Sequence, residues 1–339
     1  MTLKNINYFS LADKTKLVAP DGTALKIAQI LEKSTPFLED MPTMEGNLAT
    51  GHMGALQTEL ASSTFTDYYE GVIPTKGKNQ IITWTTARQR SLAVVDADLL
   101  KLDNNSDIAL MNQSLSHLMG MGQDWESKLI YGTKDDSGRI LGLAATYDHL
   151  STSETDIGSN VIDAGGTGSD NSSIWLAYWG MNNAHGIYPK GSVGGIEKID
   201  YKTELVTAPN GVGQYEARRI LFKHDCGLAI PNWKSIVRIA NIDVSELADA
   251  GESTYDGAPL ANLLIRAYNL FTRSVKAMGK PYIYCNRTVK TALDLIANNK
   301  PTLGINMVKD VLGEPVTTFW GIPIHTAEMI LNTEARVIA

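Results

Sequence analysis

Apolar residues recur at spacings of three or four along residues 107–132, where Ile108, Met111, Leu115, Leu118, Gly122, Trp125 and Leu129 share one face of a predicted α-helix. Ser106 is placed to cap this helix and Gly132 to end it, and at 1.5 Å per residue it would run roughly 39 Å, the length of a domain spine. Its core side is expected to be Met111, Leu115, Leu118, Trp125 and Leu129. Before it, residues 50–69 and 79–99 read as two long strands joined through a polar turn at Pro74, Lys76, Gly77 and Lys78. A lone hairpin of this length is marginal in water, so it must pack on its own body or on a neighbouring subunit. A short amphipathic helix is expected at 21–34, capped by Asp21, with Ile27, Ile30 and Leu31 as its apolar face.

After the spine, residues 133–172 are rich in Gly, Ser, Asp and Thr and read as a connection between lobes. Strand patterns follow near 174–188, 201–207, 214–230 and 235–243. Two helices are then predicted, at 259–278 with Pro259 in its first turn and at 287–299 capped by Asn286. The tail from Pro315 returns to short strands, which makes the class α+β.

The 339 residues, 43% of them apolar, suffice for a sizeable core in two lobes. Thirty-seven Asp and Glu against 30 Lys and Arg leave a net charge of −7, which argues against a surface made to bind nucleic acid everywhere. Cys226 and Cys285 have no metal-ligand spacing and predict neither a disulfide framework nor a zinc site. No apolar signal sequence opens the chain and no run of 18 apolar residues occurs, so the expectation is a soluble chain made inside a cell, with no membrane contact.

The stretch GGTGSDNSSIWLAYWG, 165–180, superficially offers a phosphate cradle. Such a loop must open a helix, whereas this one opens the strand run Ile174–Trp179; it lacks the lysine of a P-loop, and Asn171 stands where a dinucleotide fingerprint needs its third glycine. The six histidines are scattered, with no pair at metal-binding spacing. His224 and Cys226 flank Asp225, but neighbouring strand residues point to opposite faces, so a structural histidine is expected. Lys190–Gly194 lacks the first glycine of a nucleophile elbow and reads as a hairpin turn. Asp96, Asp98 and Asp103 precede a long helix and suit its N-terminal dipole, while Trp175 and Trp179 suit a core strand. No catalytic residue, cofactor or metal is therefore expected.

Five segments in order, IDAGGTGSDNSSIWLAYWG, HGIYPKGS, LAIPNWKSIVRIANIDVS, YCNRTVKTALDLIANNK and PVTTFWGIPIHTAE, resemble the major capsid proteins of tailed bacteriophages, from about residue 40 to the end. The resemblance implies the Hong Kong 97-like fold. Its parts would be an N-terminal arm (1–50), an extended β-hairpin loop (51–90), a peripheral domain with the spine helix (91–145), an axial domain (146–315) and C-terminal strands rejoining the peripheral domain (316–339). The glycine loop would lead into the axial domain.

It further implies hexamers and pentamers in an icosahedral shell around double-stranded DNA, with Tyr68, Tyr69, Thr75, Lys76 and Lys78 of the extended loop touching a neighbouring subunit. The virion is the expected location, and the host cytoplasm during assembly. A portal protein, a decoration protein and a separate scaffolding protein are expected partners. Only about 50 residues precede the loop, too few for a built-in scaffold, so Met1 or the residue after it is expected at the mature N-terminus. The alternatives are an encapsulin-type nanocompartment of the same fold and a hydrolase whose residues meet only in three dimensions.

Overall fold

The computed structural model describes residues 35–101, 106–135, 140–208, 211–248, 260–299, 305–309 and 315–338. The expected helix at 21–34, Pro259 and Asp103 lie outside them. The described chain falls into two compact units, one drawn from Arg88–Trp125 and Val193–Asp225, the other from Ser34–Ala87, Glu126–Ser192 and Cys226–Ala339.

Strands are β1 (Thr43–Glu45), β2 (Gly51–Glu59), β3 (Lys78–Asp96), β4 (Val161–Asp163), β5 (Asn171–Trp179), β6 (His185–Tyr188), β7 (Ile196–Thr207), β8 (Gln214–Ala229), β9 (Ile236–Asp243), β10 (Lys280–Cys285), β11 (Ile305–Lys309), β12 (Pro315–Phe319) and β13 (Ile322–Thr326). The larger unit is built on a seven-stranded mixed sheet in the order β11-β12-β13-β10-β5-β9-β4. β5 lies inside it, antiparallel to both β9 and β10, and all nine of its residues are buried. That placement explains its unbroken apolar run, since a strand covered on both faces needs no alternation. Helices Leu260–Leu270 and Arg287–Asn299 lay Leu260, Leu263, Leu264, Val289 and Leu293 on Ile174, Leu176, Val237 and Ile283 of the sheet. Asn286 caps the second helix, its side-chain oxygen accepting from Thr288 N at 3.1 Å.

The single helix expected at 259–278 is two helices, Leu260–Leu270 and Arg273–Met278, separated by Thr272 in an extended conformation. Packing overrides helix propensity here. The break lets Phe271 meet the edge of Tyr178 at 4.7 Å and lets Val275 be fully buried, with the Val275 carbonyl accepting from Asn183.

β6 and β7 both pair antiparallel with β8, β6 at residues 227–229 and β7 at residues 214–224. Residues 189–195 therefore do not form the hairpin turn expected at 190–194; they loop out between two strands that share a partner. β2 pairs antiparallel with β3, but β2 stops at Glu59 where the pattern had extended the strand to Tyr69. Residues 60–77 are exposed throughout, so no buried face rewards a ladder there.

The spine helix spans Ser106–Tyr131, within one residue of its expected ends at each terminus. Gly132 follows because a Cβ there would stand 2.5 Å from the Lys128 carbonyl oxygen and 2.7 Å from that of Ile140. In the smaller unit Leu110, Met121 and the partly buried Leu118 pack on Ala93, Val95, Ile220 and Phe222.

Candidate assembly surface

Trp125 and Leu129 are buried and Leu115 and Leu118 half-buried, while the side chain of Met111 lies outside those described. The edge of Trp125 meets the His224 ring at 5.7 Å. Burial lowers the His224 pKa, and Asp225 next to it pairs with Arg90 at 2.7 Å. Cys226 and Cys285 are both buried and are not joined in a disulfide.

The glycine loop is tied to its own surroundings, with Asn171 Oδ1 buried and unpaired at its end. Asp163 accepts from Gly165 N at 2.9 Å and from Asn241 at 2.8 Å, and Asn171 donates to the Gly168 carbonyl at 2.7 Å. Gly166 leaves no room for a side chain, a Cβ there meeting the Asn241 carbonyl oxygen at 2.6 Å. Two of the loop's amides hold it beside β9, Gly165 N through Asp163 and Gly166 N on the Asn241 carbonyl at 2.8 Å. Trp175 and Trp179 are core, with the Arg238 guanidinium 5.0 Å from the centre of the Trp175 ring and Trp179 Nε1 donating to Tyr284 Oη at 2.7 Å. Asp96 Oδ1 accepts from Asp98 N at 2.8 Å where the short helix Ala97–Lys101 begins.

Two buried polar clusters are structural. Arg238 donates to Glu334 at 2.8 Å, to Ser173 at 3.0 Å and to the Tyr147 carbonyl at 2.9 Å, and Glu334 also accepts from Tyr131 at 2.5 Å and from Ser173. Each partner is answered, so the pair ties the C-terminal segment to β5 and β9 without a stranded charge. Asp40 accepts from Tyr284 at 2.9 Å and bonds His325 Nδ1 at 2.7 Å. Among the described residues no three His, Cys, Asp or Glu side chains gather as a metal site, and no helix is long and apolar enough to cross a membrane.

The candidate contact surface lies on the outside. Leu60, Phe65, Tyr68, Tyr69, Val72 and Ile73, all in the loop between β2 and β3, are each 70% exposed or more. Lys76 is exposed, Thr75 Oγ1 donates to the Ser62 carbonyl at 2.5 Å, and Lys78 pairs with Glu59 at 2.8 Å across the loop base. Pattern reading puts the tip at the polar turn near Lys76 and names Tyr68 and Tyr69, but misses Leu60, Phe65, Val72 and Ile73, whose signal is apolar content without a strand period. Beside the base of the hairpin, an open trough of about 630 Å³ is walled by Ile82, Trp84, Leu141 and Leu228, with Lys134 and Asp135 also lining it. Among the described strands β7 pairs only with β8, and its register shifts between Asp200 and Thr203, where Lys202 has φ 59°, a bulge and a charge of the kind that blunt edge pairing.

An exposed apolar loop of this size suits a subunit that assembles, and the comparisons agree. No curated protein matches the chain. A chain from the near-atomic structure of bacteriophage Epsilon15 aligns over 100% of both chains at 29% identity with a TM-score of 0.75. The capsid of bacteriophage JBD30 shares the fold at a TM-score of 0.50 and 9% identity, over 92% of this chain and 99% of that one. The encapsulin of Synechococcus elongatus reaches only 0.43 at 9% identity over 70% of this chain and 96% of its own, a likeness that carries no functional argument. Residues 19–338 match the family described as major capsid protein GP7, so the chain belongs to that family and is a major capsid protein of a tailed bacteriophage, with the Hong Kong 97-like fold.

Proposed function

We propose that copies of this chain associate into hexamers and pentamers of an icosahedral shell that encloses double-stranded DNA, and that surface area does this work with no catalytic step. The exposed apolar loop between β2 and β3 carries the reading. Burying a large apolar side chain contributes roughly 1.5–3 kcal/mol, so six of them placed on a neighbour would contribute on the order of 10 kcal/mol before ordering costs. Many such contacts add by symmetry. In this reading residues 1–50 are the arm, 51–90 the extended loop, 91–145 the peripheral domain, 146–315 the axial domain and 316–339 the strands that rejoin the peripheral domain. Tyr68, Tyr69, Thr75, Lys76 and Lys78 then belong to the inter-subunit contact.

A separate scaffolding protein, a portal protein and a decoration protein are the proposed partners, the host cytoplasm the place of assembly and the virion the destination. The net charge of −7 favours a wall that repels packaged DNA and lets it slide, without sequence-specific binding. Deleting residues 68–82 is the test. Light scattering and electron microscopy should find soluble folded subunits that fail to close shells, whereas shells of normal size would overturn the role given to the loop.

A further inference from the structure

The turn Asp67–Tyr68–Tyr69–Glu70 is built to hold two aromatic rings in solvent. Its ends are tied twice: Glu70 N donates to the Asp67 carbonyl, and Asp67 N donates to the Glu70 carboxylate, both at 3.2 Å. Tyr69 has φ 71°, a left-handed backbone that disfavours any side chain bearing a Cβ. Glycine or asparagine would make the same turn without that strain, so backbone geometry does not explain a tyrosine at this position. What the position presents is the ring. Both rings are fully exposed, and a turn whose backbone is fixed in advance presents them as anchors at a reduced cost in backbone ordering on docking.

The trough walled by Ile82, Trp84, Leu141 and Leu228 has the matching properties. Its volume of about 630 Å³ lies within the roughly 300–1,000 Å³ typical of ligand-binding clefts, and Ile82, Trp84, Leu141 and Leu228 give it apolar walls among which Thr83, Thr85, Lys134 and Asp135 are interspersed. The molecule's own turn does not fill it, since Tyr68 and Tyr69 are in solvent. Trp84 also stands six residues along β3 from Lys78, about 20 Å from the end that carries the loop. We propose that the trough of one copy receives the Tyr68–Tyr69 turn of a second copy.

Charge fits the same seating. Asp67 and Glu70 flank the two rings and would meet Lys134 of the trough, while Lys76 on the same loop has Asp135 to face. Giver and receiver are different surfaces, so every subunit can give one turn and receive one; passed head to tail the contact propagates into a ring or shell, whereas reciprocal exchange would close a pair and give only disulfide-linked dimers in the test below. The inference rests on the self-assembly proposed above and names the surface that the loop occupies.

Both natural cysteines are buried, which leaves engineered thiols as the reactive ones. In the full-length chain carrying Tyr69→Cys and Leu141→Cys, mild oxidation of assembled particles should give a ladder of disulfide-linked multimers that neither single variant gives and dissociated subunits lack. A second variant, Tyr68→Ser with Tyr69→Gly, keeps the turn by placing glycine at the left-handed position. It should leave the subunit's thermal unfolding unchanged and lower particle yield by at least about tenfold. Particles with neither the ladder nor linked dimers, or an undiminished yield from the second variant, overturn the trough as receiver while self-assembly stands. A chain with its natural loop that forms no particles at all overturns the self-assembly reading and this inference with it.

Discussion

Glu126 sits on the spine helix with its carboxyl group fully buried and neither oxygen hydrogen-bonded. Burial first, and the nearby charge of Glu39 second, push its pKa up to about 8 from the ordinary 4.5. The folded chain therefore binds a proton that the unfolded chain has released throughout the interval between those two values. Stability linked to this group is fully present below pH 4.5, declines as pH rises, and is lost once pH passes about 8. At pH 7 the cost relative to pH 4.5 is about 3 kcal/mol, at 1.36 kcal/mol for each unit between the unfolded pKa and the working pH. Glu126→Gln keeps the size and the unpaired polar atoms but cannot ionise, so it removes this cost alone. Thermal unfolding of wild type and variant should coincide near pH 4.5 and diverge upward, the variant melting several degrees higher at pH 7. Parallel profiles for the two proteins across pH 4.5–8, or a glutamine variant less stable at pH 7, would refute the reasoning.

Trp125→Ala should cost about 3–5 kcal/mol because the ring is buried against His224, and the first sign would be a fall in soluble expression; an unaffected yield and melting temperature would count against that packing. Glu334→Ala strands Arg238 in the interior and should cost about 3–5 kcal/mol in a urea titration, whereas replacing Arg238 and Glu334 together by methionine and leucine should cost much less. His185 is held down to about 4 by burial and then by His52, so its ring should still be neutral by NMR at pH 5; stability linked to it is present above the ordinary 6.5 and is lost as pH falls toward 4, and a midpoint near 6.5 would contradict this.

Local features were legible because their cause is local. The 3.6-residue period gave the spine helix within a residue, the Asn286 side chain marked the start of Arg287–Asn299, and the unbroken apolar run of β5 marked a strand covered on both faces. The ordered resemblance of five segments reached the capsid family without any site chemistry. Period alone misjudged the places where distant residues decide. The helix breaks at Thr272 because Phe271 and Val275 must both reach the sheet, and β2 stops at Glu59 because nothing covers either face beyond it.

For the assembly surface, Tyr68 and Tyr69 could be picked from the sequence, yet their full exposure and the left-handed backbone of Tyr69 could not. Trp84, Leu141 and Leu228 are separated by 57 and 87 residues and carry no shared motif, so only the folded chain makes them one wall. Glu126 reads in the sequence as one more polar residue beside Trp125. Its burial depends on what packs over that turn of the helix, a property of long-range contacts that no local periodicity encodes.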